Sequence, residues 1–216
     1  MNLKILSLVI IGVCILLPDV CYAFLSKDVH LLNMQNGLAD NTVSAVYKDK
    51  EGFIWFGTRN GLSRYDGRRI TNFERSRSYP SISNLKEVFD GVLAFVDNGV
   101  FSAFDLKKER FLSVVSSSGQ GIPSRGMLQR NDSLVWVISG SELHLMKRCA
   151  SKEGELRLRV QEKYTGWNNQ DNLLVAITYS SDKKSICLID EKGRIILLDA
   201  TNLSFFRVID LGRTGS

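Results

Sequence analysis

The chain has little of what catalytic and metal-binding proteins rely on. It holds two histidines in 216 residues, His30 and His144, far apart and in no metal-ligand pair. His144 alternates with Leu143 and Leu145, the placement of an outward-facing strand residue, and His30 lies in the leading segment. There is no nucleophile elbow and no phosphate-cradling loop. "GQGIPSRG" (Gly119 to Gly126) lacks the third glycine and the strand–helix setting that such a loop needs, and Ser116 to Gly121 suits a flexible connection better. Strong charge of one sign is also missing. The formal net charge of +5 is spread along the chain, and its densest parts (Arg68-Arg69 with Arg75 and Arg77; Arg157 and Arg159 with Lys163) alternate as solvated strand faces do. Nucleic-acid binding is not expected from such a pattern. No metal and no cofactor are expected either.

Long apolar runs are scarce too, and the one present is at the start. Lys4 precedes an apolar stretch from Ile5 to Leu17, then a Pro18-Asp19 break and the small-residue ending Cys21-Tyr22-Ala23. This order predicts a secretory signal peptide over residues 1–23, cut between Ala23 and Phe24. The run is shorter than the ~20 residues a spanning helix needs. Neither Cys14 nor Cys21 has the small-residue approach of a lipidated cysteine. The 193 residues after Ala23 are therefore expected to be soluble in an exported compartment. Of the four cysteines, Cys149 and Cys187 remain after cleavage. An oxidising compartment permits a disulfide between them. The alternative is two unrelated thiols, with Cys187 buried in "SICLID".

What is there is short strands and turns. Prolines number three, no long helical stripe occurs, and Gly/Asn/Asp turns separate many β-branched or aromatic runs, which points to an all-β protein. "TVSAVYK" alternates, Asp49 to Gly52 turns, and "FIWFGT" is nearly continuous apolar sequence, as for a strand covered on both faces. Asn60-Gly61 closes a hairpin, "LSRY" returns, Asp66-Gly67 turns again, and "RITNFE" forms an outer strand. The stretch from Glu51 to Gly67 recurs. "GFIWFGTRNGLSRYD" (Gly52 to Asp66) lies over "GVLAFVDNGVFSAFD" (Gly91 to Asp105), 39 positions on, with the turn glycine slipped by one. Further copies are "SLVWVISGSELHLMK", where Trp136 takes the place of Trp55, and "KSICLIDEKGRIILLD", with its turn at Gly193. Asp66, Asp105 and Asp199 precede Phe73, Phe111 and Phe205 at nearly constant spacing. The third copy departs here, with a polar insertion around Ser151-Lys152-Glu153-Gly154.

A repeat of about 40–50 residues made of four strands is one blade of a β-propeller. The expected blades lie near residues 38–75, 82–116, 124–165 and 170–212. Stacking buries the face that one blade cannot cover alone, so Trp55, Phe56, Phe95, Phe104 and Trp136 are expected between blades. Gly57 beside Trp55 would let the neighbouring sheet come close. The repeat-defining positions are Gly52, Trp55, Gly57, Asn60, Gly61, Asp66, Gly67, Asp105, Trp136 and Asp199.

The first copy, with "NGLADNTVSAVYKDK" before it, closely resembles the two-component regulator propeller repeat. The matching elements are Gly37-Leu38, Val43 to Tyr47, Asp49 to Gly52, Ile54 to Thr58, Asn60 to Leu62 and Tyr65 to Gly67. The later copies have lost Gly-Thr and mostly the Trp. The resemblance implies the periplasmic sensor part of a hybrid two-component receptor of a Gram-negative bacterium. It implies a seven-bladed ring, of which about four blades stand here, and an oligosaccharide ligand. The expected partners are the remaining blades and downstream signalling domains, including a histidine kinase, with a homodimer in the full receptor. If the ring is incomplete, an edge strand and an apolar blade face are exposed.

A propeller-type lyase or glycosidase, and a free-standing protein-binding propeller, are the rival readings. Glycoside chemistry needs two carboxylates across the bond, and Asp49, Glu51, Asp97, Asp105, Glu142, Asp190 and Asp199 supply candidates. Asp66, Asp105 and Asp199 recur at a turn, however, so the repeat accounts for them as hydrogen-bonding turn residues. "SRYDG" (Ser63 to Gly67) fails the spacing of the sialidase turn. No catalytic residue is assigned, and no ligand-binding residue can be named from the sequence.

Overall fold

A computed structural model describes residues 31–74, 82–165 and 172–210. The expected leader and its expected Ala23–Phe24 cleavage site, His30, Arg75 and Arg77 lie outside these residues. Of the two compact units into which the chain divides, 1–32 and 33–216, only the second concerns the fold below.

Among the described residues, a single 3-10 turn, Met34–Asn36, is capped by the Asn33 side chain and leads into strands alone. Blade 1 is β1 (Val43–Lys48), β2 (Ile54–Thr58), β3 (Gly61–Tyr65) and β4 (Ile70–Phe73). Blade 2 is β5 (Ile82–Phe89), β6 (Val92–Asp97), β7 (Val100–Asp105) and β8 (Arg110–Ser116). Blade 3 is β9 (Gly126–Asn131), β10 (Leu134–Ser139), β11 (Glu142–Cys149) and β12 (Glu155–Tyr164). Blade 4 is β13 (Leu174–Tyr179), β14 (Ser185–Asp190), β15 (Arg194–Asp199) and β16 (Phe205–Asp210). Each blade is an antiparallel meander in which consecutive strands pair. The first strands are neighbours across blades: β1 meets β5, β5 meets β9, and β9 meets β13. That is the arrangement of blades around an axis, and the fold is a partial β-propeller.

The apolar runs fill three seams. Between blades 1 and 2, Trp55 and Leu62 bury against Ile82, Leu93, Phe95 and Phe104. Trp55 stacks on Phe73 at 5.6 Å between ring centroids, and Phe104 meets both rings at 5.5 and 4.8 Å. Between blades 2 and 3, Ala94, Phe101 and Ala103 meet Met127, Val135 and Met146. Between blades 3 and 4, Trp136, Leu143 and Leu145 meet Ile177, Ile186 and Leu188. Each large side chain buried this way contributes roughly 1.5–3 kcal/mol. β6 is buried at every position, and its apolar run over 92–96 serves two seams at once.

Gly57 is the point of closest approach at the first seam. A Cβ there would stand 2.6 Å from Ile82 Cγ2 and 3.2 Å from the Ile82 carbonyl. Only hydrogen fits, which is the role its place beside Trp55 suggests. The Ser44 hydroxyl donates to the Ile82 carbonyl at the same place.

The hairpin turns explain the one-position slip between the first two copies. In blade 2 the loop between paired Asp97 and Val100 is Asn98-Gly99, both at positive φ (48° and 78°), a type I′ turn. In blade 1 the pair is Thr58 and Gly61, so the loop residues are Arg59 and Asn60, and Gly61 takes the positive φ of 114° at the start of β3. The Asn60-Gly61 pair is therefore not itself the two-residue loop. Thr58 Oγ1 bonds the Gly61 carbonyl at 3.0 Å and accepts from Asn60 N at 3.1 Å, which fixes this form.

Blades 2 and 3 are joined at their outer strands. β8 and β12 run parallel and pair from Ser113/Glu155 to Ser116/Leu158, making one eight-stranded sheet. The polar insertion of the third copy does this work. Its turn brings Gly154 O to Ser113 N (2.8 Å) and Glu153 to Lys108 and Arg110 (2.8 and 3.0 Å).

Two expectations are corrected. His144 is not an outward residue: it is 9% exposed, between Val137 and Lys163 in the register, with Glu142 Oε2 at 2.5 Å from Nε2. The neighbouring leucines face blade 4, so strict alternation sends His144 to the other covered face. Cys149 and Cys187 are both free, on β11 and β14 of different blades, which sets aside the disulfide. The connection after β8 is closed by Ser116 N donating to Gln120 O (2.7 Å) and Gly119 N to Ser116 O (2.9 Å).

Candidate functional site

The recurrent aspartates are turn residues. Asp66 Oδ1 accepts from Arg68 N and Arg69 N, Asp105 Oδ1 from Lys107 N and Lys108 N, and Asp199 Oδ1 from Thr201 N and Asn202 N. These amides hold Asp66 and Asp199 below the ordinary carboxylate range. Gly52 and Gly67 turn at φ 94° and 95°. Trp136 is buried at the third seam, edge-on to Tyr164, with the Arg130 guanidinium 5.2 Å from its ring centroid. The candidate carboxylates do not form one site. Glu142 sits with His144 and Lys163 on blade 3, while Asp190 and Asp199 belong to blade 4.

Asp49 and Glu51 are different, because the fold brings them to a cavity. The hollow, about 460 Å³, opens at the seam between blades 1 and 2. Blade 1 supplies the β1–β2 turn with Asp49, Lys50 and Glu51, the half-buried Phe53, Trp55, and Arg64 from β3. Blade 2 supplies Glu87 at the end of β5, Asp90-Gly91 in the next turn, and Leu106, Lys107 and Glu109 between β7 and β8.

Asp49 builds the inner wall. Its Oδ1 accepts from Glu51 N (3.0 Å) and Phe53 N (2.9 Å), and its Oδ2 accepts from the Trp55 indole (2.7 Å). The buried tryptophan is thus tied to the turn that lines the cavity. Sequence reasoning missed this link, since Val88 and Arg130 stand six residues before Ala94 and Trp136 in the next two copies and no recurrence marks the pair.

Arg64 builds the floor. Its guanidinium lies 4.8 Å from the Phe53 centroid and 5.5 Å from those of Trp55 and Phe73. Glu109, reaching across the seam from blade 2, accepts from Arg64 Nη1 at 2.6 Å. Stacking and pairing together fix the orientation of a side chain that is otherwise costly to order. Lys50 crosses the seam to Glu87 at 3.0 Å and Asp90 at 3.9 Å, and Lys107 meets Asp90 at 3.4 Å. The hydrogen bond and charge of Glu87 hold the Lys50 ammonium above its usual range. Burial, helped by the Glu87 charge, pushes the Tyr47 hydroxyl up beside the same wall. Glu87 is the buried member, its side chain 7% exposed, and it also accepts from Gly91 N at 3.2 Å.

The cavity therefore offers fixed hydrogen-bond donors and acceptors over an aromatic floor, within the size range of small-molecule sites. It contains no histidine, cysteine or serine. Among the described residues no group of three or more His, Cys, Asp or Glu could hold a metal ion, and no helix is long and apolar enough to cross a membrane.

Comparison with known proteins agrees with this architecture. Residues 37–60 match the family described as "Two component regulator propeller". No curated protein matches the chain. Among solved structures, the extracellular domain of a putative one component system from B. thetaiotaomicron aligns at 14% identity and a TM-score of 0.61, over 86% of this chain and 28% of the other. The extracellular domain of a putative hybrid two component system from the same organism aligns at 20% identity and a TM-score of 0.54, over 85% and 26%. The β-propeller domain of Myceliophteria thermophila Cps50 (Swd1) aligns at 15% and 0.56, over 79% and 56%. The chain thus spans between about a quarter and a little over half of these structures. It is a β-propeller segment whose first blade carries a two component regulator propeller repeat.

Proposed function

We propose that the chain is the exported sensing part of a hybrid two-component receptor, binding an oligosaccharide without transforming it. The observation that carries this reading is the specific repeat at residues 37–60, set in a propeller fold shared with extracellular domains of bacterial one- and two-component systems. The basic start, apolar run and small-residue ending over residues 1–23 support export to the periplasm. Two features support binding over catalysis. The recurrent aspartates are held by turn amides, and in the seam cavity the carboxylates of Asp49, Glu87, Asp90 and Glu109 are already engaged by amides, an indole or a cation. Further blades, a membrane helix, a kinase and a dimeric receptor are the partners this reading requires.

The test is genetic and enzymatic together. Deleting the gene should abolish induction of a set of carbohydrate-use genes on one polysaccharide, and the purified chain should release no product from a glycan panel. Turnover of any glycan, or an unaltered transcriptional response on every polysaccharide tried, would overturn the reading.

A further inference from the structure

We propose that the cavity between blades 1 and 2 is a ligand site for an uncharged, hydroxyl-rich molecule that bridges the two blades; the inference rests on the sensor reading and gives it a location. The argument begins with charge. The cavity is lined by many ionised groups, yet its cations are already paired: Arg64 with Glu109, Lys50 with Glu87 and Asp90, Lys107 with Asp90. Asp49 is satisfied by two amides and an indole. An anionic ligand would have to break one of these pairs and leave a partner exposed to an unfavourable field, whereas a cationic one has only the exposed Glu51 carboxylate outside them. A neutral polyol breaks none.

Pairing does not exhaust the groups. A guanidinium has five N–H donors, an ammonium three, and a carboxylate several lone-pair sites. The pairs use a part of these. Hydroxyl groups, which donate and accept, are suited to take up the remainder at fixed positions. Phe53 and Leu106 supply apolar surface for the carbon-bound hydrogens of a ring, and the volume of about 460 Å³ suits a ligand of about one or two sugar rings.

Position adds a second argument. At the seam between blades 2 and 3 the outer strands β8 and β12 pair directly, and Glu153 reaches back to Lys108 and Arg110. Glu109 holds the corresponding outer turn of blade 2 and reaches back to Arg64 in the same manner. There, however, β4 has only four residues, and blade 1 remains a separate sheet. The first seam is therefore tied by side chains around an open cavity where the second is tied by backbone. A ligand contacting Arg64 and Lys50 on one side and Glu87 and Asp90 on the other would supply the missing tie.

The experiment is a glycan array carrying neutral, uronate or sulfated, and amino-sugar oligosaccharides, probed with the chain and two variants. Leu106→Trp fills the cavity without altering charge, and Glu87→Gln removes the buried charge and replaces one acceptor oxygen with a donor. Melting temperatures of all three show whether the variants fold. Neutral glycans should bind the chain, and binding should fall at least tenfold in folded Leu106→Trp. If Leu106→Trp does not fold, the same loss is required of Glu87→Gln. Undiminished neutral-glycan binding in a folded variant overturns the site while leaving the sensor reading intact. Binding confined to acidic or amino sugars overturns the ligand class. Silence of the whole array, with the deletion strain still losing its polysaccharide response, overturns this inference alone; silence in both overturns the sensor reading as well.

Discussion

Replacing Gly57 with alanine tests the packing of the first seam at its tightest point. The new Cβ would lie 2.6 Å from Ile82 Cγ2, in a place where both residues are fully buried. Ordinary carbon contacts are about 3.5–4.0 Å, so β5 or β2 must retreat by about an ångström. Overpacking of this kind costs about 1–3 kcal/mol. Alanine recovers about 0.4–1 kcal/mol by restricting the unfolded chain. The net expectation is a loss of roughly 1–2 kcal/mol, seen as a melting point lower by about 3–6 °C for a chain of this size. The cost should also be specific to Ile82. Ile82→Ala alone should cost about 2–5 kcal/mol, but the double variant should be more stable than the sum predicts, with a coupling of about 1 kcal/mol or more. Urea denaturation of the four proteins measures both quantities. A Gly57→Ala chain as stable as the parent, or a cycle that is strictly additive, would refute the close approach of β2 and β5.

Asp49→Asn should lose about 1–3 kcal/mol in the same assay, because the carboxamide nitrogen or oxygen must fail one of three donors that the carboxylate accepts; an unchanged urea midpoint would remove Asp49 from the wall of the cavity. Acid should weaken the fold through Asp190: burial raises its carboxyl, but Arg194 N, the Arg194 guanidinium and Lys192 N together bring it below the ordinary 3.8. Its folded value lies below its unfolded one, so its stabilisation is present above about pH 4 and lost as the pH falls through the folded value; Asp190→Asn should be less stable than the parent at neutral pH and show a shallower loss below pH 4. The chain from Phe24 onward should give two thiols with Ellman's reagent after unfolding and no change in mass on reduction, since Cys149 and Cys187 are free; a mass difference of two hydrogens would show a bridge.

How much was legible in the sequence varies with the range of the interaction. The strands and the propeller architecture follow from local signals: alternating runs, Asx-turn aspartates and glycines at positive φ. Gly57 could be assigned its role because a glycine in an otherwise bulky strand has few other uses. His144 could not, since period-2 alternation separates two faces of a strand but does not say that both are covered. Asn60-Gly61 misled for a related reason. The same dipeptide serves two loop geometries, and Thr58 and the slip of one position decide between them. The seam cavity was out of reach. Its two halves are separated by most of a blade, and Arg64, Glu87 and Glu109 come together only when the sheets stack. Glu109 and Glu153 occupy like turns in successive copies, but the first reaches a stacked arginine and the second a strand pairing.

The parallel pairing of β8 with β12 has a consequence for the order in which the chain assembles. Hairpins within a blade close short loops and can form early, whereas these two outer strands meet only after both meanders exist and have stacked. The pairing is thus placed to be a late event in folding, and its rupture an early event in unfolding. Interactions of that kind act mainly on the unfolding rate, so the insertion around Glu153 would lengthen the life of the assembled blades more than it hastens their assembly.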